Sequence, residues 1–148
     1  MPAQTVLEEL TRNELTHEHV QQRVDEWAKR IEALYREVES WLPRGWTARR
    51  GASVAMHEEL MRKMAVEPRQ LPTLELVHDG AVRVKLRPYG LWIIGTNGRI
   101  DLVKGQQRYF LLDHAGTFEA ADWHVASASA RRDSKPFDGA WLRAMLAA

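Results

Sequence analysis

The chain has 148 residues, of which 45% are hydrophobic and 28% charged. This is ordinary globular usage, with enough apolar surface to offset the entropy of ordering the chain. The 21 Lys and Arg nearly balance the 20 Asp and Glu, and there is no cysteine. The near-neutral charge argues against a strongly basic nucleic-acid-binding protein, and the lack of cysteine excludes disulfides, thiolate metal sites and a cysteine nucleophile. We expect one domain over residues 1–148.

The beginning of the chain, MPAQTVLEEL, has neither the basic segment nor the apolar segment of a signal peptide. Purely apolar runs, such as residues 91–94, reach at most five residues, far short of the roughly 20 residues that span a bilayer. These features predict a cytoplasmic protein with no membrane partner.

Residues 1–42 are predicted to form a helical N-terminal segment. A helix start is marked by a capping residue whose side chain accepts a backbone N–H bond. The candidates are Thr5 with Glu8, Thr11 with Glu14, and Thr16 alone. Pro43 is expected to end the helix, because the residue before a proline avoids the helical conformation.

An apolar stripe follows this helix in alternating steps of four and three residues. Its members are Val20, Val24, Trp27, Ile31, Leu34, Val38 and Trp41. Most such stripes in single domains face the core of their own chain, and we favour that interpretation. The alternative is a helix seam between two copies in a homodimer, although tryptophan is too large for an ordinary two-stranded seam.

Residues 43–72 form a connector of mixed character. The stretches PRGW and RRGAS are typical of loops. Two interpretations remain open for residues 52–65: a short helix capped by Ser53, with Met56, Leu60 and Met64 on one side, or a strand over residues 53–56.

From residue 73 to residue 127 the apolar period becomes two, which predicts an antiparallel sheet. LELVH and AVRVKLR flank Asp79-Gly80, and LWIIGT and RIDLV flank Asn97-Gly98, so each set predicts a hairpin with a two-residue turn. A fifth strand, QQRYFLLD, follows Lys104-Gly105, and a sixth is expected near DWHVAS. RRDSKP is the most linker-like stretch.

A C-terminal helix is predicted over residues 137–148. Asp138 is its expected N-cap, and its apolar side consists of Trp141, Leu142, Met145 and Leu146. The fold class is therefore α+β: a long N-terminal amphipathic helix, an antiparallel meander of five to six strands and a C-terminal helix. The two helices are the expected cover for one face of the sheet.

The strand AVRVKLR places three cations on one sheet face, since alternate side chains point to the same side. With a regular hairpin, Leu74 and Leu76 would share that face. The row is either an ordinary solvated face or a surface that grips phosphates or an acidic partner. A second basic cluster surrounds Trp46. The candidate interaction surface comprises Trp46, Arg49, Arg50, Arg83, Lys85 and Arg87.

A metal-dependent hydrolase of the PD-(D/E)xK nuclease type would need two carboxylates and a lysine. Asp101 and Asp113 are the candidate acids, but Ala115 stands where the lysine would be expected. The second hairpin would place Asp101 beside Trp92 and Ile94, with Arg99 as its nearest partner. The missing cation makes this the weakest of the functions considered.

The histidines do not complete a catalytic set. His57-Glu58 begins a zinc-protease motif, but Met61 replaces the second histidine. Asp122 and His124 would share a strand face and could hydrogen-bond, yet no nucleophile is identifiable beside them.

The sequence thus predicts a small, soluble, non-catalytic binding protein without metal or cofactor. Its acidic helical segment and basic sheet face favour contacts with another protein, or with a second copy of itself, because patches of opposite charge steer association. The alternative is a nucleic-acid-associated protein that uses the basic sheet face.

Overall fold

The computed structural model describes residues 15–148; the candidate helix starts at Thr5 with Glu8 and at Thr11 with Glu14 lie outside this range. Helix α1 covers His17–Trp41, and the side chain of Thr16 accepts a hydrogen bond from the His19 N–H at 3.0 Å. Leu42 leaves the helical conformation before Pro43. The predicted N-cap at Thr16 and the predicted end before the proline are both confirmed.

The apolar stripe of α1 packs inside its own chain. Six of its seven side chains, from Val20 to Val38, are at most 1% exposed, and Trp41 is partly buried against the same core. The rings of Trp27 and Trp123 lie 6.1 Å apart, which joins the helix to the sheet. These side chains are therefore covered by the chain itself and are not exposed for a partner helix.

The connector contains four short elements. They are β1 (Trp46–Arg50), β2 (Val54–Met56), helix α2 (Glu59–Lys63) and β3 (Arg69–Leu71). Strands β2 and β3 pair antiparallel in a separate two-stranded ribbon. Of the two interpretations, the strand is observed; the helix begins only after Glu58, so Ser53 is not its cap.

The main sheet is antiparallel throughout, in the order β1-β4-β5-β6-β7-β8-β9. Its remaining strands are β4 (Leu74–His78), β5 (Ala81–Gly90), β6 (Arg99–Lys104), β7 (Gln107–Asp113), β8 (Trp123–Ser127) and β9 (Ala130–Pro136). The α+β class is confirmed, but the sheet has seven strands rather than five or six. Strand β1 adds to one edge, and RRDSKP forms edge strand β9, whose charges and proline suit an exposed edge.

The first predicted hairpin is confirmed, but Leu74 and Leu76 do not lie on the face of the sheet that was expected. Asp79 and Gly80 have φ values of 52° and 74°, as a type I′ turn requires. Val77 pairs with Val82 but Leu76 pairs with Val84, so Arg83 is an extra residue in a β-bulge. This one-residue shift turns Leu74 and Leu76 away from the basic face and into the core, since side chains alternate along a strand.

The second predicted hairpin is wrong. Strand β5 continues to Gly90 and itself pairs with β6, so that Arg87 lies opposite Asp101. Residues 91–98 form a loop instead, with Ile94 97% exposed and Asn97 buried. Trp92 and Ile94 therefore do not flank Asp101.

The C-terminal helix α3 (Gly139–Ala147) is confirmed, with Asp138 accepting the Trp141 N–H at 2.9 Å. Trp41 of α1 contacts Phe137 edge-to-face at 5.6 Å, and Trp141 contacts Tyr109 of β7 at 5.1 Å. Both helices thus cover the same face of the sheet and leave the other face open. Within residues 15–148, no helix is long and apolar enough to cross a membrane.

Candidate binding surface

The uncovered side of the sheet, which we call the basic face, carries more cations than carboxylates. Val84 and Leu86 of β5 point to the core, so the alternate residues Lys85 and Arg87 point outward and are exposed. The cross-strand register continues this face over the neighbouring strands. On β1 and β4–β7 its cations are Arg49, Arg83, Lys85, Arg87, Arg99 and Arg108, and its carboxylates are Glu75 and Asp101. Arg131 of β9 adds a cation beside Phe110.

The two carboxylates are already engaged by cations of the same face. Glu75 accepts a hydrogen bond from Arg49 at 2.8 Å and lies 3.8 Å from the Lys85 amine. The hydrogen bond from Arg49 is the main reason that the pKa of Glu75 is lowered. Asp101 accepts hydrogen bonds from Nε and Nη2 of Arg99, at 2.8 and 3.3 Å, which confirms Arg99 as its partner.

The cluster predicted around Trp46 is divided between two places. Arg49 lies on the basic face, whereas Arg50 points to the helix side, where it binds Glu32 at 3.0 Å and Glu39 at 2.5 Å. Trp46 is partly buried and stacks on His78 with 4.8 Å between ring centroids. The prediction that Trp46 and Arg50 share a surface with Arg83, Lys85 and Arg87 is therefore wrong, because adjacent residues of β1 face opposite sides of the sheet.

A stack of alternating rings and guanidinium groups was not expected from the sequence. Arg99 lies between Tyr89 and Phe110, with 3.9 and 3.7 Å from its guanidinium carbon to the two ring centroids. Arg131 covers Phe110 at 5.0 Å. A second β-bulge in β5 lies between Pro88, which pairs with Ile100, and Gly90, which pairs with Arg99. Tyr89 is the unpaired residue of this bulge, and the bulge places it beside Arg99. Tyr89 is 60% exposed, so its ring contacts Arg99 and still presents an aromatic surface to solvent beside the exposed cations.

A cleft opens where β4 stops. The β4–β5 register ends at Leu74 and Leu86, so residues 87–90 of β5 have no neighbouring strand on that side. The β2–β3 ribbon lies across this gap, leaving a space of about 920 Å³. We call this space the β5 cleft; its lining includes Met56, Leu71, Val84, Gly90 and Trp27 within, and Ala55, Val82, Lys85, Arg87, Tyr89 and Arg108 at the rim.

Glu58 holds the loop that closes one side of this cleft. Its carboxylate accepts the backbone N–H groups of Leu91 at 2.9 Å and Trp92 at 3.2 Å. Burial raises the pKa of Glu58, and the two N–H donors oppose that rise. The His57-Glu58 pair is thus part of a loop support, and Met61 is buried in the core rather than near a metal site.

The structure does not bring the two candidate nuclease acids together. Asp101 lies on the basic face, whereas Asp113 is fully buried on the helix side. Arg30 donates to Asp113 at 2.5 Å, and the backbone N–H groups of Ala115 and Asp122 donate to its other oxygen. Among residues 15–148, no group of three or more His, Asp or Glu side chains is arranged to hold a metal ion.

The buried Asp113 is one end of a polar network under helix α1. Arg30 also binds Glu26 at 2.7 Å and the backbone carbonyl of Asn97 at 2.7 Å. Arg23, which is 1% exposed, donates to the Asn97 side chain at 2.7 Å. The network therefore ties the loop of residues 91–98 to the helix, and buried charges are tolerated because they have partners.

Two histidines stack beside this network. His114 lies on His124 with 4.1 Å between the ring centroids, and His124 lies 3.3 Å from Asp122. Burial, and then the neighbouring His124, lower the pKa of His114, while Asp122 and Asp113 act in the opposite direction. The predicted Asp122–His124 contact is confirmed. The group stacked on His124 is a second histidine rather than a nucleophile.

Acidification should destabilise the protein through His114. Because its pKa in the folded state lies below the value of 6.5 in the unfolded chain, the unfolded state binds the proton first. The stability contributed by neutral His114 is complete above pH 6.5 and is lost as the pH falls towards the lowered pKa. Urea unfolding of His114→Gln should show a smaller loss below pH 6.5 than the unmodified chain, whereas His57→Gln should keep the full loss. An equal loss in His114→Gln would contradict this assignment.

Comparison of the chain with protein-family models, with curated proteins and with solved structures found no match. The function proposed for the chain therefore rests on the geometry of the basic face and of the β5 cleft.

Proposed function

We propose that this chain is a non-catalytic binding protein that holds an acidic segment of another protein on its basic face. The observation that carries the proposal is the row of exposed cations Lys85, Arg87 and Arg108 on the open side of the sheet. Among the described residues, Arg87 and Arg108 form no ion pair, whereas Lys85 shares the carboxylate of Glu75 with Arg49, at 3.8 and 2.8 Å. Unneutralised cations on one face attract an acidic partner and fix its orientation.

The spacing of the exposed cations favours an extended protein segment as the partner. Lys85 and Arg87 are alternate residues of β5 on one face, and alternate side chains of an extended segment also point to one side, so its acidic residues can meet these cations in turn. Val82 and Tyr89, 39% and 60% exposed, supply apolar contacts beside the cations. A segment in which acidic and apolar residues alternate fits this surface.

A nucleic acid is the second candidate. Tyr89 is exposed and supported from below by Arg99 at 3.9 Å, which is a geometry on which a base can stack. Phosphate contacts by Lys85, Arg87 and Arg108 would accompany that stacking. The two candidates differ in salt dependence, since phosphate contacts make the logarithm of affinity fall linearly with the logarithm of salt concentration.

The test compares labelled probes by fluorescence anisotropy: a short peptide of alternating Glu and Val, and a single-stranded RNA of the same charge. The double variant Lys85→Glu with Arg87→Glu should weaken peptide binding roughly tenfold or more. The matched control is Lys29→Glu with Arg36→Glu, because both residues are exposed on α1 and the net charge changes equally.

Loss of peptide binding in the sheet variant alone supports the proposal. Equal losses in both variants would show a bulk charge effect and contradict it. Tighter binding of the RNA, with a steep salt dependence, would establish the second candidate instead. Light scattering of the free protein reveals the case in which the acidic partner is a second copy of the chain.

A further inference from the structure

Strand β1 is one of the two outer strands of the main sheet, and its outer edge is open. Within residues 15–148, β1 is hydrogen-bonded as a strand to β4 alone. Thr47, Arg49 and Arg50 are exposed and Ala48 is partly exposed, so solvent reaches this edge. An uncovered strand edge is a template on which a strand of another chain can pair.

The register shows which backbone groups of β1 point away from β4. Arg50 lies opposite Leu74. One residue further along, Gly51 donates its N–H to the Thr73 carbonyl at 3.0 Å. Hydrogen-bonded and non-hydrogen-bonded pairs alternate along an antiparallel ladder, so every second residue counted back from Gly51 bonds to β4. The N–H and C=O groups of Ala48 and Arg50 therefore point outwards.

This edge is complementary to itself when a second copy pairs with it in the antiparallel direction about Ala48. Ala48 then lies opposite its own counterpart, and each N–H meets the carbonyl of the other copy. On the helix side, Trp46 lies opposite Arg50 of the second copy, which allows an indole–guanidinium contact. On the open side, Thr47 lies opposite Arg49. No two like charges are directly opposed, so side-chain pairing does not disfavour the contact.

Strand β9, at the other edge of the sheet, does not offer such a surface. It carries three cations, one acid and a proline in seven residues, and its register with β8 shifts between Val125 and Ser127. An antiparallel pair centred on Asp133 would oppose two aspartates, and one centred on Arg132 would oppose two arginines. Like charges directly opposite each other are destabilising, so β1 is the edge suited to a second copy.

We propose that two copies of this chain associate through β1 and form one continuous antiparallel sheet across a two-fold axis at Ala48. The strand has five residues, so the contact is smaller than the roughly 1,200 Å² of a standard interface and the dimer is transient. The axis runs perpendicular to the sheet, which places both basic faces on the same side. A partner with two acidic segments could then bind both, with the gain of a second, intramolecular contact.

The first test is a cysteine cross-link, since the chain has no cysteine of its own. Oxidation by diamide, which takes up the two thiol hydrogens, joins cysteines whose Cα atoms are about 4.4–6.8 Å apart. Ala48→Cys should give a disulfide-linked dimer, because Cα atoms of a hydrogen-bonded pair lie about 5.5 Å apart. Ser134→Cys, at an exposed position of β9, is the control and should stay monomeric. A mixture of Thr47→Cys and Arg49→Cys should cross-link more than either variant alone.

The second test is the mass of the protein in solution without a cross-link. In sedimentation velocity, the mass of the unmodified chain should rise with concentration towards that of a dimer. Ala48→Pro should fold and remain monomeric, because proline is tolerated on an edge strand where the N–H faces solvent and removes the donor at the axis. The double variant Lys85→Glu with Arg87→Glu should self-associate as the unmodified chain does, since neither residue belongs to β1.

A constant monomer mass, a dimer that persists in Ala48→Pro, or equal cross-linking of Ser134→Cys and Ala48→Cys would each overturn the β1 interface. Loss of self-association in the Lys85 and Arg87 double variant would overturn it too, because the second copy would then lie on the basic face. Binding of the acidic peptide is a separate result: Ala48→Pro should bind it as the unmodified chain does, so either proposal can fail without the other.

Discussion

Replacing Asp113 by alanine should lower the free energy of unfolding by about 3–5 kcal/mol, the cost of leaving one partner of a buried ion pair without the other. Asp113 is 0% exposed, and its carboxylate binds the Arg30 guanidinium at 2.5 Å. The same carboxylate accepts two backbone N–H groups, of Ala115 and Asp122. The loss is a large fraction of the roughly 5–15 kcal/mol that stabilises an ordinary domain.

Two further variants separate the charge from the hydrogen bonds. Asp113→Asn keeps an oxygen for the backbone N–H groups and removes only the charge, so it should be less destabilising than alanine. Glu59→Ala removes an exposed ion pair with Lys63, whose side chains are 73% and 64% exposed, and should change stability by less than about 1 kcal/mol. Urea unfolding measures all three. A loss below about 1 kcal/mol in Asp113→Ala would show that the network does not hold the fold together.

Local signals predicted the ends of the elements well. Thr16, Pro43, Asp79-Gly80 and Asp138 each act through neighbours within a few residues, and a cap or a tight turn is decided at that range. Their predicted roles are all observed. The apolar stripe of α1 could be assigned to the core for the same reason, because its period is set within one continuous segment of the chain.

Such local signals did not predict the register of the strands. The bulge at Arg83 adds one residue to β5 and reverses the faces of Leu74 and Leu76, and nothing in the local pattern of alternating residues marks it. Asn97-Gly98 has the composition of a hairpin turn, yet β5 itself runs on to Gly90 and takes the place beside β6. Strand β5 extends to Gly90 because Val84, Leu86 and Pro88 continue its buried face.

The candidate site was predictable only in part. Arg83, Lys85 and Arg87 follow from the period of one strand, and they do lie on the open face. Trp27 and Met56, by contrast, belong to a helix and a ribbon that meet the sheet only in the tertiary fold. The Arg30–Asp113 contact joins residues 83 positions apart, so no short-range pattern could have revealed either the cleft or the network.

Substituting Gly98 by alanine should cost about 2–5 kcal/mol, from two separate causes. Gly98 has a φ of +124°, which side-chain-bearing residues rarely adopt. A Cβ atom there would also lie only 2.4 Å from Cζ3 of Trp27, inside the packed core where neither side can move freely. The measurement is again urea unfolding.

Gly105→Ala isolates the first cause. Gly105 has a φ of +59°, and no atom lies within 4 Å of the position that a Cβ would occupy, so this variant should lose only the roughly 1–2 kcal/mol of left-handed strain. Trp27→Leu isolates the second. It opens space beside Gly98, and the combined Gly98→Ala and Trp27→Leu variant should therefore be more stable than the sum of the two single losses predicts. Strict additivity would mean that contact with Trp27 is not what requires a glycine at position 98.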